Sequence, residues 1–88
     1  MRSVILCDVP YQGFTKSIPV DVSREDTWNT FFSKVSIKTL IQKQYITLRY
    51  SIDGKYYRIN YLDTHPNTPY SLMEQGVMFF HFSYNKGL

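Results

Sequence analysis

The side chains of this 88-residue chain that could do covalent or metal chemistry are few and scattered. His65 and His81 are the only histidines, and Cys7 is the only cysteine. A transition-metal site takes three or four ligands. Neither histidine has a cysteine or a carboxylate at ligand spacing, so no metal site is expected. A reactive thiol needs a cationic neighbour to lower its pKa, and the sequence around Cys7 is apolar. The chain contains no Gly-rich phosphate loop and no Gly-x-Ser-x-Gly nucleophile elbow. Asp21, Glu25 and Asp26 stand where a strand end and a helix start account for them. The expectation is a protein without catalytic residues and without a cofactor. Binding chemistry is better represented. Lys34, Lys38, Lys43, Arg49, Lys55 and Arg58 interleave with Tyr45, Tyr50, Tyr56, Tyr57 and Tyr61. Aromatic rings on a sheet beside cations can stack single-stranded bases, so nucleic acid is one candidate partner.

The elements that must position these residues follow from composition and periodicity. The chain has eight Tyr, six Phe and one Trp, and no alanine. Aromatic and β-branched side chains suit a pleated, half-buried surface. The net charge of +3 permits an acidic partner without demanding one. One cysteine excludes an internal disulfide. The apolar run over residues 4–7 is too short for a signal peptide, and no stretch approaches membrane-spanning length. The expected setting is therefore the cytosol or nucleus, away from membranes. The length fits a single domain over residues 1–88, with residues 85–88 as a short tail.

Residues 3–9 read as a first strand, followed by turn chemistry at Pro10-Tyr11-Gln12-Gly13. Residues 17–22 alternate, with Ile18, Val20 and Val22 on one face. Pro19 lacks an N–H and places this strand at a sheet edge. A helix is expected over about residues 26–38, capped by Ser23 or Asp26. Trp28, Phe31, Phe32 and Val35 occupy the i, i+3, i+4, i+7 positions of its one apolar face. That face is expected to bury against Ile18, Val20, Leu48, Tyr50, Phe80 and Phe82. Residues 45–52 alternate again, and Asp53-Gly54 before residues 55–59 is a strong hairpin signal. Residues 62–70 are expected to be loop, with one helical turn over 69–73. Residues 77–84 form a last strand, with Met78, Phe80, Phe82 and Tyr84 inward.

The resulting order is a hairpin, a crossover helix, a second hairpin, a loop and a final strand. It is an α+β arrangement: a mixed sheet packed on one helix. This order resembles the ubiquitin-like superfamily with its β-grasp fold. The resemblance covers nearly the whole chain, through Ser23-Arg24-Glu25-Asp26-Thr27 before the helix and Asp53-Gly54-Lys55 between the third and fourth strands. Residues 67–78 (Asn-Thr-Pro-Tyr-Ser-Leu-Met-Glu-Gln-Gly-Val-Met) are similar to a SUMO-like pattern. The covalent modifiers of that superfamily end in Gly-Gly, whereas this sequence ends Tyr84-Asn85-Lys86-Gly87-Leu88. The resemblance then implies an adaptor domain that is not conjugated.

A sheet covered by one helix leaves its other face open. The third strand should show Thr47, Arg49 and Ser51 there, and the last strand Phe79 and His81. On the first strand both sets of alternating positions are apolar, and Asp8 shares the parity of Val4 and Leu6. That parity puts Leu6 on the open face. The expected partner-binding patch is Leu6, Arg49, Ser51, Phe79 and His81, an apolar centre with a polar rim that suits a protein partner. The resemblance implies the same face. It also implies a second surface, the groove between the helix and the edge strand. A nucleic-acid partner and an assembly subunit, such as a homodimer that hides Phe79, remain as alternatives.

Overall fold

In a computed structural model, residues 2–62 and 65–85 are described. The elements are β1 (Arg2–Tyr11), β2 (Phe14–Val22), α1 (Trp28–Thr39), a short 3₁₀ turn (Lys43–Tyr45), β3 (Ile46–Ile52), β4 (Lys55–Ile59), α2 (Pro69–Glu74) and β5 (Phe79–Tyr84). They form an α+β domain with a five-stranded mixed sheet and one main helix. The sheet order is β2-β1-β5-β3-β4. Of the four strand pairs among the described residues, β1–β5 is parallel and the others are antiparallel. β5 is thus the middle strand, joining a hairpin on each side. β2 lies at an edge, as Pro19 requires.

Both hairpins turn through two residues in the left-handed region. Gln12 and Gly13 have φ of 48° and 89°, and Asp53 and Gly54 have φ of 51° and 77°. Paired positive φ values match the right-handed twist of the flanking strands, which is why Asp-Gly and Gln-Gly serve here. Tyr11 and Phe14 face each other across the first turn with ring centroids 5.5 Å apart.

α1 starts two residues later than its acidic approach indicates. Its N-cap is Thr27, whose Oγ1 accepts from the Thr30 N–H, while Thr30 Oγ1 accepts from the Thr27 N–H. This reciprocal cap replaces the expected Ser23 or Asp26. Asp26 is instead buried as a tie. It accepts from the Ser23 N–H at 2.9 Å and pairs with Lys34 Nζ at 2.7 Å. Trp28, Phe31, Phe32 and Val35 are buried, as the helical spacing predicts. They meet the sheet at Phe80, whose ring lies 6.0 Å from Trp28 and 5.6 Å from Phe31. Ile18 packs at the margin of a core that includes Val20, Leu48, Tyr50, Phe80 and Phe82.

The long connection is pinned where it crosses the core. Trp28 Nε1–H donates to the Asn67 carbonyl at 2.7 Å. The Asn67 N–H donates to His65 Nδ1 at 3.1 Å, and His65 Nε2 meets the Tyr50 hydroxyl at 2.6 Å. With Nδ1 accepting, the neutral imidazole carries its proton on Nε2 and donates to Tyr50. α2 then ends in paired bonds, Gly76 N–H to Met73 O and Val77 N–H to Leu72 O, with Gly76 at φ 98°. This glycine termination starts β5 at Phe79, two residues later than expected.

Burial holds the Tyr50 hydroxyl above the ordinary tyrosine value near 10, and Tyr57 adds to the effect. A raised pKa in the folded state means that folding retains a proton the unfolded chain releases. That contribution is complete below the ordinary value and is lost as pH rises through the folded one. Thermal melts taken upward from about pH 10 should therefore show stability falling with pH. Tyr50→Phe should flatten that slope; an unchanged slope would count against the buried hydroxyl.

Candidate functional site: the open sheet face

None of the described residues covers the face of the sheet away from α1, and its composition follows from alternation and register. Paired residues in a ladder point to the same face. Ile5 pairs with Pro19 on one side and Phe79 on the other, giving a row of apolar side chains across β2, β1 and β5. The neighbouring row runs Cys7–His81–Arg49–Arg58 across β1, β5, β3 and β4. Ser51 pairs with Tyr56, and Thr47 with Ser83. Phe79 is 51% exposed and Tyr56 77% exposed. Beside Phe79, a shallow depression of about 190 Å³ is lined by Ser51, Gly76, Val77, Met78 and His81.

Four of the five expected patch residues therefore share this face: Arg49, Ser51, Phe79 and His81. Leu6 does not. It is fully buried, and Ile5 takes the outward place next to Phe79. The cause is a bulge. Leu6 pairs with Ile18 but Val9 pairs with Lys16, so Cys7 and Asp8 together oppose Ser17. The extra residue shifts the alternation, and Asp8 adopts a left-handed φ of 66°. Asp8 then reaches the open face despite its even spacing from Leu6, and its Oδ2 lies 3.3 Å from His81 Nδ1. The inward set on β5 also shrinks. Phe80 and Phe82 are buried, but Met78 precedes the strand and is 65% exposed, and Tyr84 at its end is 40% exposed.

Tyr56, Arg58 and Pro19 belong to the face but were absent from the expected patch. The buried Ile59 was the available signal, since alternation back along β4 puts Arg58 outward and Tyr57 inward. Tyr57 does turn in to stack on Tyr50, with centroids 5.1 Å apart. The neighbourhood of Cys7 and His81 had no local signal, because it arises from a parallel pairing of distant strands. His81 turns to Asp8, and no hydrogen bond joins it to the thiol among the described residues. Among the described residues, no group of three or more His, Cys, Asp or Glu side chains is placed to hold a metal ion. No helix formed by the described residues is long and apolar enough to cross a membrane.

The charges on the face are divided. Asp8 and Asp21 belong to the β1–β2 half, and Arg49 and Arg58 sit directly opposite each other on β3 and β4. Neither arginine has a carboxylate partner among the described residues. No family model, curated protein or solved structure matches the chain. The geometry of the face itself therefore carries the functional reading.

The second expected surface is poorly suited to adding a partner's strand. The groove between α1 and β2 is lined by Val20, Asp21, Ser23, Lys34, Ile37 and Lys38. Its edge lacks the Pro19 donor, and Lys34 Nζ already bonds the Asp21 carbonyl at 3.3 Å. Two of the six basic residues of the middle segment, Lys34 and Lys43, are also engaged within the chain. Lys34 pairs with Asp26, and Lys43 donates to Asn29 Oδ1 at 2.7 Å and to Ser33. Tyr50 is buried, so it cannot stack a base. The expectation that the domain is not conjugated rests on Gly87 and Leu88, which lie outside the described residues.

Proposed function

We propose that this chain is a ubiquitin-like β-grasp interaction domain, of adaptor type, that docks a protein through its open sheet face. The observation that carries the reading is the row Pro19–Ile5–Phe79 on that face, with Phe79 half exposed on the middle strand and polar groups on both flanks. An apolar centre with a polar rim is the anatomy of a protein interface. The order β2-β1-β5-β3-β4 with a parallel β1–β5 centre supports the β-grasp reading and its SUMO-like resemblance. Phe79 serves as the anchor, since a few buried aromatic residues carry most of the energy of an interface. Arg49 steers an acidic partner and contacts it at the rim. The single unpaired thiol of Cys7 suits a reducing compartment, the cytosol or nucleus.

A pull-down from cell extract tests this, using the parent chain, the Phe79→Ala/Arg49→Glu double variant and a nuclease-treated control. The parent should retain a protein that the double variant loses, with nuclease making no difference. Capture that survives both substitutions contradicts the site. Loss under nuclease alone moves the function to nucleic acid, for which Tyr56 and Arg58 would be the contacts.

A further inference from the structure

We propose that the open face pairs with the same face of a second copy of this chain, an inference that rests on the docking reading above and names its partner. The register of the sheet is symmetric about β5. β5 is the third strand of five, so β1 and β3 lie one strand away on opposite sides, and β2 and β4 two strands away. Cys7 and Arg49 both pair with His81 and so stand at the same level along the strands. Asp8, beside Cys7 in the bulge, reaches His81 at that level.

Consider a two-fold axis parallel to β5, midway between two facing sheets. It places β1 of one copy over β3 of the other, and β2 over β4. Phe79 meets Phe79 of the second copy. Asp8 lies over Arg49 of the second copy, and Arg49 over its Asp8. Pro19 comes over Tyr56. The contact is isologous: one operation satisfies both charge pairs and closes the assembly at two chains. The strands of the two sheets stay aligned, as in face-packed sheets about 10 Å apart.

Charge is what selects a second copy as the occupant. Arg49 and Arg58 face each other across β3 and β4, an arrangement unfavourable in a lone chain. No carboxylate relieves it among the described residues. The acids on this face, Asp8 and Asp21, lie on the opposite half, with the Asp8 side chain 58% exposed. Such a divided face is complementary to itself. A polyanion would meet repulsion from the acidic half.

Sedimentation equilibrium of the intact chain at low salt, from about 10 µM to about 1 mM, should show a monomer–dimer equilibrium. Phe79→Asp should leave a monomer. Asp8→Arg alone and Arg49→Asp alone should each weaken self-association by about tenfold or more, since each brings like charges together twice. Mixing those two single variants should restore dimers, as should combining both changes in one chain. Circular dichroism on every variant confirms that the fold persists. A chain that stays monomeric throughout overturns the self-pairing, while the pull-down still judges whether the face docks another protein. A dimer that survives Phe79→Asp overturns the self-pairing as well, and shows the chain associating through a different surface.

Discussion

Phe32→Ala should remove much of the stability of this domain, about 3–5 kcal/mol, the usual range for emptying a buried aromatic site. Phe32 is fully buried on α1 and its ring lies 6.5 Å from that of Trp28. Trp28 and Phe31, buried on the same face of α1, join the helix to the sheet at Phe80. A domain of 88 residues has a total stability of only about 4–13 kcal/mol at the usual value per residue. The variant should therefore be partly unfolded at ordinary temperature, and its urea midpoint should fall far below that of the parent. An unchanged midpoint would mean that α1 packs on the sheet through a different face.

Leu6→Ala should cost about 2–5 kcal/mol, whereas Ile5→Ala should cost only about 1 kcal/mol. The two residues are adjacent and similar in size. Leu6 is fully enclosed between the sheet and the rest of the core, while Ile5 is half-buried on the open face. The contrast tests the bulge at Cys7–Asp8, which decides which set of β1 side chains is inward. Ile5→Ala should also weaken partner capture with little change in melting, since Ile5 adjoins Phe79. If Ile5→Ala proves the more destabilising of the two, the register of β1 is shifted by one residue and the composition of the open face changes with it.

These two substitutions mark the boundary of what the sequence makes legible. The helical face and the second hairpin depend on spacing within a few residues. Trp28, Phe31, Phe32 and Val35 can share only one stripe of a helix, and Asp53-Gly54 supplies the positive φ values of a two-residue turn. Pro19 marks an edge strand by the donor it lacks. The first strand resists the same treatment. Its residues are apolar on both faces, and the only polar marker, Asp8, sits in the bulge that breaks the alternation. Parity with Asp8 therefore points Leu6 outward, although Leu6 belongs to the core. The end of the connection at Val77 and Met78 is similarly opaque, because the glycine termination of α2 determines where β5 begins. Pairings between distant strands decide the rest of the site. Nothing local brings Cys7 and Asp8 to His81, or lines up Arg49 with Arg58, yet those neighbours set the character of the face.

The open sheet face as the docking surface is the central claim, and amide chemical-shift mapping tests it most directly. Spectra of the labelled chain would be recorded at a concentration where it is monomeric, alone and with the protein that the parent retains from extract. The predicted result is that the shifted and broadened signals gather at Ile5, Arg49, Ser51, Phe79 and His81, and that Phe79→Ala/Arg49→Glu abolishes them while leaving the remaining spectrum folded. Shifts gathered instead at Ile37 and Lys38 of α1, or at Tyr11, Leu40 and Tyr45 at the far end of the sheet, with the face unperturbed, would contradict it.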